Sequence, residues 1–161
     1  MERFQELLHA SQRKIQIADH ILTQSYPLVK DPRLLLSSLE NLFLGMSYGM
    51  TALLLYERMF KRIPPVPENF DSKYKMFWDH IMPRHEVRQE HVMHLKEIKD
   101  IILEHKQSPI EFVRKDRLVI CNSTYKTRTL SVEQIKKYIN LSKLFLDDIN
   151  AIIKSEIMVN I

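Results

Sequence analysis

The chain has 161 residues, with 45% hydrophobic and 27% charged residues, and 24 Lys and Arg against 20 Asp and Glu give a net charge of +4. This length and apolar content predict one globular domain over residues 1–161 and argue against disorder. Two glycines are too few for a glycine-rich phosphate loop, and one cysteine excludes an internal disulfide framework and a Cys-based zinc finger. The N-terminus has mixed charges and no apolar block, so we expect no signal peptide and a cytoplasmic protein.

The first half of the chain predicts two long helices. Apolar residues recur at three- and four-residue steps over 2–25, which is typical of an amphipathic helix, and we expect Pro27 to end it. Asp31 and Pro32 then suit the N-cap and first position of a second helix, which we expect to reach about Lys61.

The second helix is predicted to lie at the centre of the fold. It is apolar nearly all round over 42–56, but an acid and an amide earlier in the stretch make it a core helix and not a membrane span. Gly45 and Gly49 lie on one face of it. Because glycine inside a helix is unfavourable by about 1 kcal/mol, the pair indicates that another backbone crosses very close there.

Prolines and turn residues divide the second half. A stiff connection over 63–70 precedes a short helix over about 72–81, and a fourth helix is predicted from Arg84 to about His105. Residues 110–130 are rich in β-branched residues and predict a β-hairpin or three-stranded ribbon, with turns near 115–116 and 122–123. Ser131 opens a last helix to about Met158.

The predicted fold class is therefore all-α. We expect a four- to five-helix up-down bundle with a small β-hairpin insert, at about 110–130, before the last helix.

Histidines are concentrated at the start of the predicted fourth helix. Four of the seven fall within residues 80–94, next to two arginines: His80, His85, His91, His94, Arg84 and Arg88. Residues seven apart share one face of a helix, so Arg84 and His91 are expected to lie on the same face. His94 borders that face, which continues the apolar stripe of the helix and should therefore line a groove, a bundle end or an interface.

Three interpretations of this cluster remain open. The histidines could be structural, hydrogen-bonded to neighbouring groups. His91 and His94 could share a metal ion with His80 or Glu90, although no His-Glu-x-x-His motif is present. Arginine and histidine could instead act together on a phosphodiester, with arginine holding phosphate oxygens and histidine moving a proton.

The stretch Arg84-His85-Glu86-Val87-Arg88-Gln89-Glu90-His91, within a helical bundle, resembles the Arg-polar-x-His pattern of the HEPN superfamily. Here Arg84 matches the motif arginine, His85 its polar neighbour and His91 the motif histidine. The resemblance implies a homodimer whose arginines and histidines meet in one cleft and cut RNA without metal or other cofactor. It makes Arg84 and His91 the catalytic candidates, with His85, Arg88 and His94 in support. Many members of the superfamily are instead binding or regulatory modules.

The β insert carries most of the net positive charge. Five cations, Arg114, Lys115, Arg117, Lys126 and Arg128, are interleaved with Phe112 and Tyr125. A basic ribbon with rings could follow a phosphate backbone, so these cations are nucleic-acid-binding candidates. The alternative is a solvated hairpin whose apolar side packs on the bundle.

The sequence thus predicts an RNA-associated HEPN-like protein that could be a metal-independent ribonuclease; the alternatives are a dimerising interaction module and, third, a metal-binding bundle. We expect no membrane association.

Overall fold

The computed structural model describes residues 2–107, 110–121, 124 and 126–159. The helices in this part of the chain are α1 (Arg3–His20), α2 (Tyr26–Val29), α3 (Pro32–Met59), α4 (Phe70–Met76), α5 (Glu90–Gln107) and α6 (Val132–Val159). Turns of π-helix at Ile21–Ser25 and Phe77–Ile81 join α1 to α2 and prolong α4. Strands β1 (Ile110–Arg114), β2 (Arg117–Cys121) and β3 (Thr127–Ser131) precede the last helix. The all-α bundle with a small β insert is confirmed.

Helix α3 lies at the centre of the bundle, as predicted, and α1 crosses it at the two glycines. The Ser11 hydroxyl of α1 donates a hydrogen bond to the Gly45 carbonyl at 2.5 Å. A Cβ atom at Gly45 would lie 2.9 Å from Ile15 Cγ1 and 3.1 Å from the Ser11 carbonyl oxygen. At Gly49 the nearest atom would be Ser11 Oγ, at 3.1 Å. The glycines therefore allow the close approach of the two helices that fills the core.

The start of α3 is as predicted, whereas the end of the first helix is not. Asp31 caps α3 by accepting a hydrogen bond from the Arg33 backbone N–H at 2.9 Å. Pro27 does not end the helical run, because it occupies one of the first positions of α2, where no backbone N–H donor is needed. The run ends instead at Lys30, whose φ of 57° is left-handed.

The predicted fourth helix, which is α5, starts six residues later than predicted, at Glu90 and not at Arg84. Residues 82–89 form a turn followed by a short segment without regular secondary structure. The turn closes where the Arg84 and His85 backbone N–H groups both donate to the Ile81 carbonyl, at 3.1 and 3.0 Å. The prediction that Arg84 and His91 share one helical face is therefore wrong, since only His91 is in the helix.

The β insert is a three-stranded antiparallel sheet in the order β1-β2-β3. Lys115 and Asp116 form the first turn with φ of 51° and 60°, the left-handed geometry typical of a type I′ hairpin. The other predicted turn, at 122–123, lies outside the described residues. Leu118, Ile120 and Leu130 are buried against the bundle. The Val132 N–H donates to the Asp116 carbonyl at 3.1 Å, so the hairpin tip is tied to the start of α6. No helix in the described ranges is long and apolar enough to cross a membrane.

Candidate functional site

A fully buried carboxylate, Glu57, organises the end of the bundle that holds the histidine cluster. It lies near the C-terminus of α3 on the same face as Met50 and Leu53, which are also fully buried. A charge in such a position is strongly unfavourable unless partners surround it. The chain supplies those partners from the two loops that follow α3 and α4.

Three cationic or titratable groups contact Glu57. His85 Nε2 lies 2.5 Å from Glu57 Oε1, and Arg84 Nη1 lies 3.1 Å from Oε2. Arg62 Nη1 is 3.4 Å from the same Oε2 atom. The bond to Glu57 holds the His85 ring in place and leaves Nδ1 as its second nitrogen. The turn at residues 82–85 therefore places the adjacent side chains of Arg84 and His85 against the buried Glu57 carboxylate.

Arg62 links this acid to a second one, Glu156 on α6. Its Nη1 atom lies 2.9 Å from Glu156 Oε2 and thus bridges the two carboxylates. Burial alone would raise the pKa of Glu156, but hydrogen bonds from Arg62 and Tyr56 outweigh it and lower the pKa. The pKa of the Tyr56 phenol is raised to about 12, first by burial and then by the bond to Glu156. Glu156 is therefore stabilised in the charged form by its neighbours.

A second carboxylate–imidazole pair lies next to the first. His91, in the first turn of α5, places Nδ1 2.6 Å from Asp148 Oδ2 on α6. His91 is buried, and its carboxylate partner is more exposed than the ring. The two catalytic candidates thus contact different acids: Arg84 contacts Glu57, and His91 contacts Asp148.

An open groove of about 420 Å³ connects these groups, and we call it the Arg84 groove. Its polar lining consists of Arg84, His85, Glu86, Asp148, Ser155 and Glu156. The Arg84 side chain is 45% exposed and uses one of its N–H groups on Glu57, which leaves donors for a ligand. His85 lines the groove directly, whereas His91 reaches it through Asp148. The groove therefore combines a cationic fork with an oriented imidazole.

The same cluster has the composition of a metal site but not the surroundings. Ligand atoms of Glu57, His85 and Glu156 all lie within 4.8 Å of one another. Two guanidinium groups, those of Arg62 and Arg84, already contact these carboxylates. A divalent cation would have to displace them against their own positive charge, so the residues as arranged do not fit a metal ion.

The two remaining histidines of the predicted cluster, His80 and His94, are not in the lining of the groove, and His80 is exposed. His94 is buried between α5 and α6, where Nε2 contacts Ser142 Oγ at 3.1 Å and the ring stacks on Tyr138 with centroids 5.9 Å apart. Burial lowers the pKa of His94 to about 4, so the ring is neutral at pH 7. Arg88 points into solvent and pairs with Glu90 at 3.3 Å. His94 and Arg88 therefore have no contact with the lining of the groove.

The five cations of the β insert do not form one surface. Arg128 is held by Glu104 of α5 through two hydrogen bonds of 2.6 and 3.0 Å. Lys126 lies next to it, one residue before β3. Arg114, Lys115 and Arg117 are exposed together at the hairpin tip, at the other end of the sheet. Tyr125 and the side chain of Phe112 lie outside what the structure describes, so the proposed interleaving of rings stays a prediction.

The carboxylates that hold the site together were not predicted from the sequence. Glu57, Asp148 and Glu156 lie in two long helices far from the histidine cluster in sequence. One signal was available: Glu57 falls on the apolar face of α3, where a charge requires partners. No protein-family model, curated protein or solved structure matches this chain.

Proposed function

We propose that the protein is a HEPN-like, RNA-associated, metal-independent ribonuclease that works in the Arg84 groove. One observation carries the proposal: a partly exposed arginine and a carboxylate-oriented imidazole, adjacent in sequence, line one open groove. Phosphodiester cleavage needs these two elements, a fixed cation for the phosphate oxygens and a group that moves a proton near neutral pH.

In this mechanism the guanidinium of Arg84 holds the phosphate. The ribose 2′-oxygen attacks phosphorus and gives its proton to His85, while Glu57 orients the ring through the opposite nitrogen. The bond from phosphorus to the 5′-oxygen breaks, and that oxygen takes a proton from water. The products are a 2′,3′-cyclic phosphate and a 5′-hydroxyl. His91 acts as a positioning residue, because it holds Asp148 at the groove.

The acids that line the groove are compatible with an anionic substrate because most have a partner. Glu156 is paired with Arg62, and Asp148 with His91. Glu86 is exposed at the rim, where water screens its charge. The electrostatic potential at Arg84 is therefore less negative than three unpaired carboxylates would make it.

The experiment is cleavage of a single-stranded RNA by purified protein in EDTA. We expect cleavage by the wild type and at least 100-fold slower cleavage by Arg84→Gln and His85→Gln, the scale of lost acid–base and charge stabilisation. Arg88→Gln is the matched control, because this arginine is 75% exposed and lies outside the lining of the groove. Unchanged circular dichroism spectra would show that the variants are folded. Equal rates for all four proteins, or no cleavage between pH 5 and 9, would contradict the proposal.

A second candidate is a non-catalytic interaction module that forms a homodimer. One observation favours it: between Glu40 and Glu57, α3 has no charged residue, although Leu44 on that stretch is exposed and Tyr48 and Leu55 are partly so. A partner helix could cover this face. Sedimentation velocity of wild type and Leu44→Glu tests it; the module predicts a dimer that the substitution dissociates, together with no RNA cleavage.

A further inference from the structure

An open groove lies at the hairpin tip, and we call it the tip groove. It has a volume of about 700 Å³ and lies between the β1–β2 turn, α2 and the first turn of α6. Its charged lining consists of Lys30, Lys115, Asp116, Arg117, Glu133 and Lys136. The Arg84 groove is lined by the other end of α6, so the two grooves are separate features.

The tip of the hairpin is fixed in place by its one acid. Asp116 Oδ1 accepts hydrogen bonds from the Tyr26 hydroxyl at 3.1 Å and from Lys30 Nζ at 2.8 Å. These bonds, the one from Lys30 first, lower the pKa of Asp116. Tyr26 is itself fully buried in the core. The tip is therefore anchored to the bundle, and the residues that flank Asp116 are held at the edge of the groove.

The cations of the tip groove are only partly neutralised. Lys30 contacts Asp116, and Lys136 Nζ lies 3.4 Å from Glu133. Within the described ranges, the side chains of Lys115 and Arg117 have no ion pair or hydrogen bond. Arg114 is the cross-strand partner of Arg117, so its side chain leaves the sheet on the same face. Three positive charges thus lie within one tight turn, and their mutual repulsion would be relieved by a bound anion.

We propose that the tip groove binds the sugar–phosphate backbone of RNA, as an anchoring site separate from the Arg84 groove. This inference rests on the proposed function for the choice of RNA as the polyanion. The groove is concave and lined by three elements, a shape that suits a strand lying in it. A lipid surface is the competing occupant, because Leu28 and Val29 are exposed on the neighbouring α2; a bilayer is flat, however, and would leave the groove empty.

The separation of the grooves determines which RNAs can use both. Val132 lines the tip groove and Ile152 lines the Arg84 groove. Ile152 comes 20 positions after Val132 in α6, a distance of about 30 Å along the helix. A dinucleotide in the Arg84 groove is too short to reach the tip groove. A strand of about 20 nucleotides is long enough to touch both.

The experiment measures binding of a 20-nucleotide single-stranded RNA by fluorescence anisotropy. Each phosphate contact contributes about −0.7 to the slope of the logarithm of the binding constant against the logarithm of the salt concentration. Loss of two contacts therefore makes this slope less steep by about 1.4. Relative to 1 M salt, where the contacts contribute little, this raises Kd about 25-fold at 0.1 M salt. We expect these changes for Lys115→Gln/Arg117→Gln. The control Arg13→Gln/Lys75→Gln removes the same charge at two other exposed positions and should leave Kd within about twofold of the wild type.

Dinucleotide cleavage separates this inference from the proposed function. If both hold, the tip variant cleaves the dinucleotide at the wild-type rate and loses only affinity for the long RNA. If neither the wild type nor the variants cleave the dinucleotide, but the tip variant still binds the long RNA about 25-fold more weakly, the ribonuclease proposal fails and the tip groove is supported as an RNA-binding site. Equal Kd values for the tip variant and its control would overturn the tip groove as an RNA site. So would variant-sensitive binding to phosphatidylserine vesicles without RNA binding.

Discussion

Glu57→Gln tests the central role of the buried carboxylate. The substitution keeps the size of the side chain but removes the negative charge that faces Arg62, Arg84 and His85. Loss of one partner from a buried ion pair destabilises a protein by about 3–5 kcal/mol. Here Arg62 and Arg84 are 31% and 45% exposed and can turn partly towards water, so we expect the lower end, about 3 kcal/mol.

Urea unfolding at pH 7 measures this loss. With an m-value of about 2 kcal/mol per M, a loss of 3 kcal/mol lowers the midpoint by about 1.5 M. Glu133→Gln is the matched control, since Glu133 is 82% exposed and its pair with Lys136 contributes at most about 0.5 kcal/mol. If the two substitutions lower the free energy of unfolding by the same amount, Glu57 does not organise this end of the bundle.

Three further predictions concern the packing, the pH dependence and the insert. Gly45→Ala should lower the free energy of unfolding by about 1–3 kcal/mol, because the new Cβ would lie 2.9 Å from Ile15 Cγ1 and 3.1 Å from the Ser11 carbonyl oxygen. Gly49→Ala should be near neutral, because a gain in helix propensity of about 1 kcal/mol offsets its contact of 3.1 Å with Ser11 Oγ. Equal effects of the two substitutions in urea unfolding would refute this. Burial lowers the pKa of His94 to about 4, below the value near 6.5 in the unfolded chain. As the pH falls from 6.5, the unfolded chain therefore takes up a proton before the folded protein does. The free energy of unfolding should fall by about 3 kcal/mol between pH 6.5 and 4. His94→Gln should flatten that profile and His9→Gln should not, as thermal unfolding across pH will show. Asp116→Asn should weaken the anchoring of the hairpin by about 1 kcal/mol, measured as faster amide exchange in β2; unchanged exchange would count against the anchor.

Local signals in the sequence were sufficient for most of the fold. Asp31 caps α3 as its residue type predicts, and Gly45 and Gly49 mark the helix crossing because only glycine lets two backbones approach so closely. Ser131 accepts a hydrogen bond from the Gln134 N–H at 3.1 Å at the start of α6, as the spacing indicates. Each of these features depends on residues a few positions apart, which sequence reasoning can treat directly.

The start of α5 could not be predicted in this way. Residues 84–89 have acceptable helix propensity, and none of them indicates a turn. The one local signal is Pro83, which precedes the segment and is also compatible with the start of a helix. The turn is stabilised by Glu57, 27 positions before Arg84 in the chain. A tertiary contact of this kind overrides local propensity and is invisible to periodicity.

The candidate site was predicted in its residue types but not in its arrangement. Arg84 and His85 do line a groove, while His91 lies behind Asp148 and does not face Arg84 along a helix. The sequence pattern placed the arginine and histidine by helical geometry, and that geometry fails because the arginine precedes the helix. Pairing of each histidine with a distant acid depends on how α3, α5 and α6 pack, which a single sequence does not state.

The most direct test of this account is the product formed from a ribonucleotide dinucleotide in EDTA, followed by phosphorus NMR. Transesterification in the Arg84 groove predicts that a 2′,3′-cyclic phosphate signal forms at the same rate with the wild type and with Lys115→Gln/Arg117→Gln, and at least 100-fold more slowly with folded His85→Gln. Absence of that signal for the wild type at every pH from 5 to 9, or its formation at the wild-type rate in His85→Gln, would contradict it.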